Sequence, residues 1–321
     1  MSLTDLLVSR LAPLRRRLLQ LNDITRRLDD LQMAVGRIEQ RLTLPDAHPA
    51  TAFHRYEFKV YSQCGEDGLI QYLLSKIPVT VPVFVEFGVH DYKESNTRYL
   101  LQHDNWTGLI MDGSQENIGL IQRDAVYYRH NLSAVCAFID RENINTLLRN
   151  NGITGDIGLL SVDIDGNDYW VWEAIDCISP RIVICEYDSL LGPDRKVTSP
   201  YDPAFLRLEA HYSFLYGGAS LAALDDLARR KGYALVGSNS AGNNAFFVRK
   251  DLLGDLTVLT PKQAYVRAQF RNSHDKEGRF TFRQFDECLA IIADMPVVDL
   301  ERNVTVPIRD LYPGLKTTPS R

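Results

Sequence analysis

The spacing of apolar positions changes twice along the chain. Up to residue 43, apolar residues recur at Leu7, Leu11, Leu14, Leu18, Leu21, Ile24, Leu28, Leu31, Val35, Ile38 and Leu42. From Leu21 onward the steps alternate between three and four, the a/d seam of a coiled coil about three heptads long. Two successive threes at Leu18, Leu21 and Ile24 break the register as a stammer. An N-terminal coiled-coil helix is predicted over 1–43. Pro45 and Pro49 end it and make 44–55 a linker. From 56 to 250, short apolar runs alternate with helical patterns. Strands are predicted at 83–87, 108–111, 126–128, 159–164 and 182–185. Helices are predicted between them at 96–102, 115–122, 142–149 and 169–175. That order predicts an α/β domain of five parallel strands with crossover helices. A helix follows at 221–230, stopped by Gly232. Strands at 233–236 and 245–248 are close enough to pair antiparallel. Residues 251–321 read as a C-terminal extension packed on the domain, with a helix at 284–292 and no derivable role.

Composition narrows the class. Apolar residues are 45% and charged residues 24%, which is ordinary for a globular protein. A net charge of −5 speaks against nucleic acid as a partner. No run of about 18 apolar residues exists, so no transmembrane segment is expected. Arg15, Arg16 and Arg17 interrupt any leader-like apolar core. Five scattered cysteines without a C-x-x-C speak against a disulfide framework or a cysteine zinc site. A cytoplasmic location is the resulting expectation. Residues 1–43 carry eight arginines and no lysine against five acids. Their expected role is self-association, making the protein a homo-oligomer.

Open parallel sheets bind ligands beyond the carboxyl ends of their strands, and four such ends carry acids. Glu86 closes the first strand, followed by Gly88, which lets the chain turn tightly. Asp112 closes the second, placed to take two ribose hydroxyls. No G-x-G-x-x-G is present. Asp163 and Asp165 end the fourth strand two residues apart, so on extended chain they face one side. Two carboxylates there call for a cation, a proton or donors. Asp168 is expected to cap the following helix. Glu186 ends the neighbouring strand. Arg98, Arg195 and Lys196 are candidate counter-charges. So acidic a site would repel a phosphate-rich ligand and suits one with a positive centre and a ribose, as S-adenosylmethionine has.

Several segments together resemble the FkbM-type branch of class I S-adenosylmethionine-dependent methyltransferases. They are Ser62-Gln63-Cys64-Gly65-Glu66-Asp67-Gly68, Phe84-Val85-Glu86-Phe87-Gly88 with Ser95-Asn96-Thr97, and Asn105-Trp106-Thr107-Gly108-Leu109-Ile110. Two more are Leu160 through Trp170 and Ile184-Cys185-Glu186-Tyr187. The match covers roughly 60–250. The resemblance implies a Rossmann-like seven-stranded sheet with an antiparallel last pair. It also implies that Glu86, Gly88 and Asp91 wrap the methionine part of the cofactor and that Asp112 holds the ribose. Asn131, after the third predicted strand, would lie near the adenine, and Asp163 would face the methyl donor. One departure is His90-Asp91-Tyr92, where many members carry a second glycine or small residue.

Methyl transfer needs an aligned acceptor oxygen and a base for its proton. Asp165 is the first candidate, Glu186 the second and His90 the third. A divalent metal on the acids is another route. Family members act on hydroxyls of sugars, polyketides and other secondary metabolites, and a cell-surface glycan or its precursor is the preferred acceptor. Tyr187, Tyr201, Tyr212, Tyr216, Trp170 and Trp172 could face a sugar ring. Two other functions remain. One is a metal-dependent glycosyltransferase using Asp163-Ile164-Asp165 as a D-x-D motif. The other is an inactive domain on a coiled-coil scaffold.

Overall fold

The computed structural model describes residues 27–29, 31–42, 50–313 and 315. The chain divides into two compact units, Met1–Asp46 and Ala47–Arg321. In the first, residues 31–42 are helical. The seam residues Leu28, Leu31, Val35, Ile38 and Leu42 are each more than half exposed. The earlier seam positions, the stammer and residues 44–49 of the linker lie outside the described residues. Among those residues, no helix is long and apolar enough to cross a membrane. All five cysteines are free.

Among the described residues, the second unit holds ten strands: β1 (Val83–Phe87), β2 (Thr107–Asp112), β3 (Leu132–Cys136), β4 (Gly155–Val162), β5 (Ile178–Glu186), β6 (Val197–Thr198), β7 (Tyr233–Ser238), β8 (Asn244–Arg249), β9 (Pro296–Asp299) and β10 (Val304–Pro307). Seven form one sheet in the order β3-β2-β1-β4-β5-β8-β7. β1 to β5 are parallel, and β8 runs antiparallel to both β5 and β7. The predicted final pair therefore forms, with β8 inserted between β5 and β7. Strand order reverses between β1 and β4, which makes their carboxyl ends the switch point of the sheet.

The central strands are apolar because both faces are covered. Successive residues alternate between two cores. Val85, Phe87, Val183, Cys185, Ala245 and Phe247 enter one, and Phe84, Ile182, Ile184, Phe246 and Val248 enter the other. The helix Leu221–Arg230 starts at Ser220, whose side chain accepts the Ala223 amide, and Gly232 leaves it with φ 86°. A small antiparallel sheet, β10-β9-β6, covers a third apolar cluster that includes Leu191, Leu215, Ile292 and Ile308. This cluster ties the C-terminal extension to the segments that follow β5.

The third predicted strand is not one. Residues 126–128 lie within a single-turn helix, Ala125–Arg129, and β3 follows at Leu132–Cys136. Valine and tyrosines favour a strand, but the Asp124 side chain accepts the Val126 amide and starts a helical turn. Tyr128 stands 70% exposed on that turn, where a central strand would bury it.

Gly88 sets how closely β1 approaches β4. Its φ is +71°, and a Cβ there would stand 1.7 Å from the Asp163 carbonyl oxygen. Gly88→Ala is expected to cost about 2–5 kcal/mol, from overpacking plus the left-handed backbone. Denaturant unfolding would measure it, and a loss under about 0.5 kcal/mol would contradict this account of the turn.

Candidate active site

β1 delivers Glu86 to the carboxyl edge, where it is 5% exposed. Its carboxylate accepts the Ser95 hydroxyl at 2.6 Å, the Asn96 amide at 2.8 Å and the Thr97 amide at 3.1 Å. The Thr97 hydroxyl also donates to it. Burial pushes the carboxyl upward and these bonds pull it back. Glu86 thus organises residues 95–97, which is the loop-capping role open to any acid at a strand end. It also borders the cleft described below.

The next turn replaces glycines with other residues without changing the conformation glycines would take. Gly88, His90 and Tyr92 all have positive φ, at 71°, 48° and 60°. For His90 and Tyr92 this backbone is uncommon and holds only where the surroundings over-determine it. The His90 amide donates to Asp112 Oδ2 at 2.8 Å. Tyr92 is fully buried, its hydroxyl 3.0 Å from Thr97 Oγ1, and its carbonyl accepts Arg98 at 2.9 Å. Asp112 Oδ1 also takes the Ser114 amide at 2.8 Å and Asn117 Nδ2 at 3.0 Å. Asp112 therefore closes the loop over β2. Asp91 pairs with Lys93 at 2.5 Å, and neither Asp91 nor Asp112 lines the cleft.

Asn131 is misplaced by the sequence reading. It precedes β3, and its carbonyl accepts the Gly108 amide while its side chain donates to Thr107, at the amino end of β2. It therefore sits on the sheet edge opposite the switch point. The error follows from taking 126–128 as the strand. The residues that do follow β3 are Ala137, Phe138, Ile139 and Asp140. Phe138 is 46% exposed and borders Gly113, directly after Asp112.

A cleft of about 540 Å³ opens beyond β1, β4 and β5. Asp163, Asp165, Glu186 and Asp188 line it. The carboxylates of Asp163, Asp165 and Glu186 bring oxygens within 4.8 Å of one another. Asp168 is not part of this group. It is the first residue of the helix Asp168–Ala174, and it reaches back to accept the Ile164 and Gly166 amides, each at 2.8 Å. Asn167, not Asp168, occupies the cap position. Asp165 itself has φ 60°, in the left-handed region that Asp enters more readily than most residues, at the turn that follows β4.

Arg207 answers this charge. Its Nη1 lies 2.8 Å from Asp165 Oδ1 and 3.7 Å from Glu186 Oε2. Burial opposes the charge on Arg207, but Glu186 and Asp165 keep it protonated. One cation does not balance the group. Burial and the charge of Glu186 and its neighbours drive Asp163 well above the carboxylate range. Burial likewise raises Glu186, against the pull of Arg207. The cations named from sequence lie elsewhere. Arg98 braces Tyr92 and Asp124, Arg195 covers the Tyr312 ring, and Lys196 pairs with Asp226. Arg207 carries no motif; it stands on a four-residue helix, Arg207–Ala210, that no periodicity announces.

The three carboxylates offer enough oxygens for a divalent cation, but Arg207 already spans two of them. The aromatic residues read as sugar-facing are mostly structural. Trp172 is core, Trp170 donates to the Ser199 carbonyl at 2.9 Å, Tyr216 to the Pro296 carbonyl at 2.6 Å, and Tyr201 bonds Glu142. Of the six, Tyr187 alone lines the cleft. The far wall instead comes from the C-terminal extension, through Ala268, Phe270, Asn272, His274, Phe280 and Phe285.

Asp188 gives this electrostatics a test. Its Oδ1 accepts the Leu190 amide at 2.9 Å, its Oδ2 is buried without a partner, and burial lifts its pKa to about 6. A carboxyl raised in the folded state binds more protons there than in the unfolded chain. Stability is then full below about pH 4 and falls as pH rises through about 6. Asp188→Asn keeps the Oδ1 acceptor and removes the titration. Relative to wild type, it should gain on the order of 2 kcal/mol in unfolding free energy between pH 4 and pH 7. A difference that does not change with pH would contradict the reading.

No family model matches the chain, and no curated protein matches it. Solved structures do. The chain is similar to the N-terminal domain of EvdMO1 with SAH bound, at 13% identity and a TM-score of 0.38, over 61% of this chain and 82% of that one. It is similar to an S-adenosylmethionine-dependent methyltransferase from Clostridium acetobutylicum ATCC 824, at 10% identity and 0.37, over 57% and 89%. It is also similar to the O-methyltransferase from Bacillus cereus in complex with SAH, at 10% identity and 0.34, over 67% and 88%. Likenesses at these scores carry no argument about the site, which stands on its own geometry.

Proposed function

We propose that the protein is an S-adenosylmethionine-dependent O-methyltransferase of the FkbM type acting on a hydroxyl of a neutral, sugar-like acceptor. The observation that carries the reading is the acidic cleft at the β1–β4 switch point, bordered by the glycine-like turn that Asp112 of β2 holds from behind. Asp163, Asp165 and Glu186 outnumber Arg207, so a ligand with positive centres would draw the raised carboxyls into their ionised form, whereas a phosphate would not. That also weighs against the nucleotide-sugar reading, as does Arg207 on Asp165 of the D-x-D motif. The unusual His90-Asp91-Tyr92 loop weighs less against cofactor binding than its sequence suggests, because its backbone takes glycine-like angles.

When bound, the cofactor supplies a methyl group on a positively charged sulfur, and would pass that methyl to the acceptor oxygen and leave as the neutral thioether. The turn at Gly88 and the loop at 95–97 would receive its methionine part. Asp112 would meet the ribose, with Phe138 offering a flat face to the adenine. Asp163 faces the positive region. The hydroxyl proton goes to a carboxylate. Glu186 suits that role, because burial raises its pKa toward the working pH and Arg207 stands closer to Asp165 than to it. Asp165 pairs with Arg207 and steadies the guanidinium.

Calorimetric titration with S-adenosylmethionine and S-adenosylhomocysteine tests this directly. Saturable binding of both is expected, weakened roughly 10–100-fold in Asp112→Ala, the loss of hydrogen bonds to a charged group. A folded protein that binds neither compound would overturn the assignment.

A further inference from the structure

The wall supplied by the C-terminal extension has a feature that cofactor binding does not use. Four rings run in sequence from inside the cleft to its outer rim. Phe214 lies 4.4 Å from His274, His274 lies 4.4 Å from Phe280, and Phe280 stacks on Phe282 at 5.8 Å with 23° between the planes. The first three line the cleft. Phe280 and Phe282 are each 57% exposed, a costly way to leave two large apolar rings. Residues 274 and 280 pair as an isolated bridge, so His274, Phe280 and Phe282 stand on a narrow hairpin, with Phe214 reaching it from the segment before the helix Leu221–Arg230. Phe214 and Phe282 both have positive φ, at 59° and 50°. For bulky aromatic residues that is a true outlier, and such strain clusters where side chains must be held for binding.

The chemistry around the rings selects the ligand. The hairpin's cations are engaged. Arg271 donates to the Phe282 carbonyl, Arg279 pairs with Asp275, Arg283 pairs with Glu287, and Lys276 lies over the Tyr212 ring. Arg279 and Arg283 are thus paired with acids, and the cleft floor is itself lined by acids, which disfavours an anionic chain. Gln63, Asn243 and Asn272 add neutral hydrogen-bonding groups to the lining. Asn243 Nδ2 donates to Gln63 Oε1 at 3.3 Å, and an alkyl chain would offer nothing to the hydrogen-bonding capacity these groups have left. A ligand with hydroxyls on its edges and apolar ring faces satisfies both.

We infer that the Phe280–Phe282 pair forms an outer subsite for a second ring of the acceptor. The acceptor is then a neutral oligosaccharide at least two residues long, not a single small metabolite. The inference rests on the methyltransferase reading above, and the test separates the two.

The full chain is applied to an array of neutral glycans one to four residues long, beside the Phe280→Ala/Phe282→Ala double variant. A Phe280→Leu/Phe282→Leu variant keeps bulk without the flat faces. Wild type is expected to bind some glycan at least tenfold more tightly at two or more rings than at one. That factor corresponds to about 55 Å² of apolar surface buried. Both variants should lose the increment while retaining their affinity for S-adenosylhomocysteine. An array with no binding, no gain with length, or a gain that survives in the alanine variant overturns the subsite. Each of these results leaves the methyltransferase reading intact if S-adenosylhomocysteine binds; absence of that binding removes the reading separately.

Discussion

Crowding of carboxylates at the ends of β4 and β5 is the constraint around which the rest of the cleft is arranged. Asp163, Asp165 and Glu186 come together because parallel neighbours end side by side and the turn at Asp165 is left-handed. Like charges so close cannot all ionise unaided. The chain meets this with a half-buried guanidinium from a distant segment and with protonation. Arg207 therefore links the sheet to the cap formed by the segments after β5. Loss of that cation would leave a group of acids with no partner but solvent or ligand.

The opposite side of the cleft is built on hydrogen bonds. Glu86 gathers the donors of residues 95–97, and Asp112 gathers His90, Ser114 and Asn117. Between them, the 88–92 turn holds two side-chain-bearing residues in a conformation that glycine would enter freely. Tyr92 accounts for how this persists. Its ring is buried, and both its hydroxyl and its carbonyl are bonded, so the strain is countered by packing rather than relieved by flexibility. The result is a rigid loop on one flank and a charged, proton-sharing group on the other.

Much of this was legible in the sequence where burial fixes residue type. β1, β2, β4 and β5 are covered on both faces, so their apolar runs announce them, and the acids at their ends mark the switch point. The last strand pair was legible from two apolar runs around a polar turn. β3 was not, because Leu132-Ser133-Ala134-Val135-Cys136 is a half-exposed edge strand, while the neighbouring Val126-Tyr127-Tyr128 has stronger strand propensity. Asn131 went astray with it. Arg207 and the aromatic wall escaped for a different reason. They reach the cleft through long-range packing of a four-residue helix and a short hairpin, and neither leaves a periodic trace. The left-handed angles at His90 and Tyr92 are equally silent, since nothing in those residue types asks for them.

A crystal structure of the full chain with S-adenosylhomocysteine would test the central claim most directly. The account predicts the ligand's sulfur in the cleft facing Asp163 and Glu186, its ribose on Asp112 and its adenine beside Phe138, with Arg207 still paired to Asp165. Ligand density anywhere else on the sheet, or a ribose with no contact to Asp112, would contradict it.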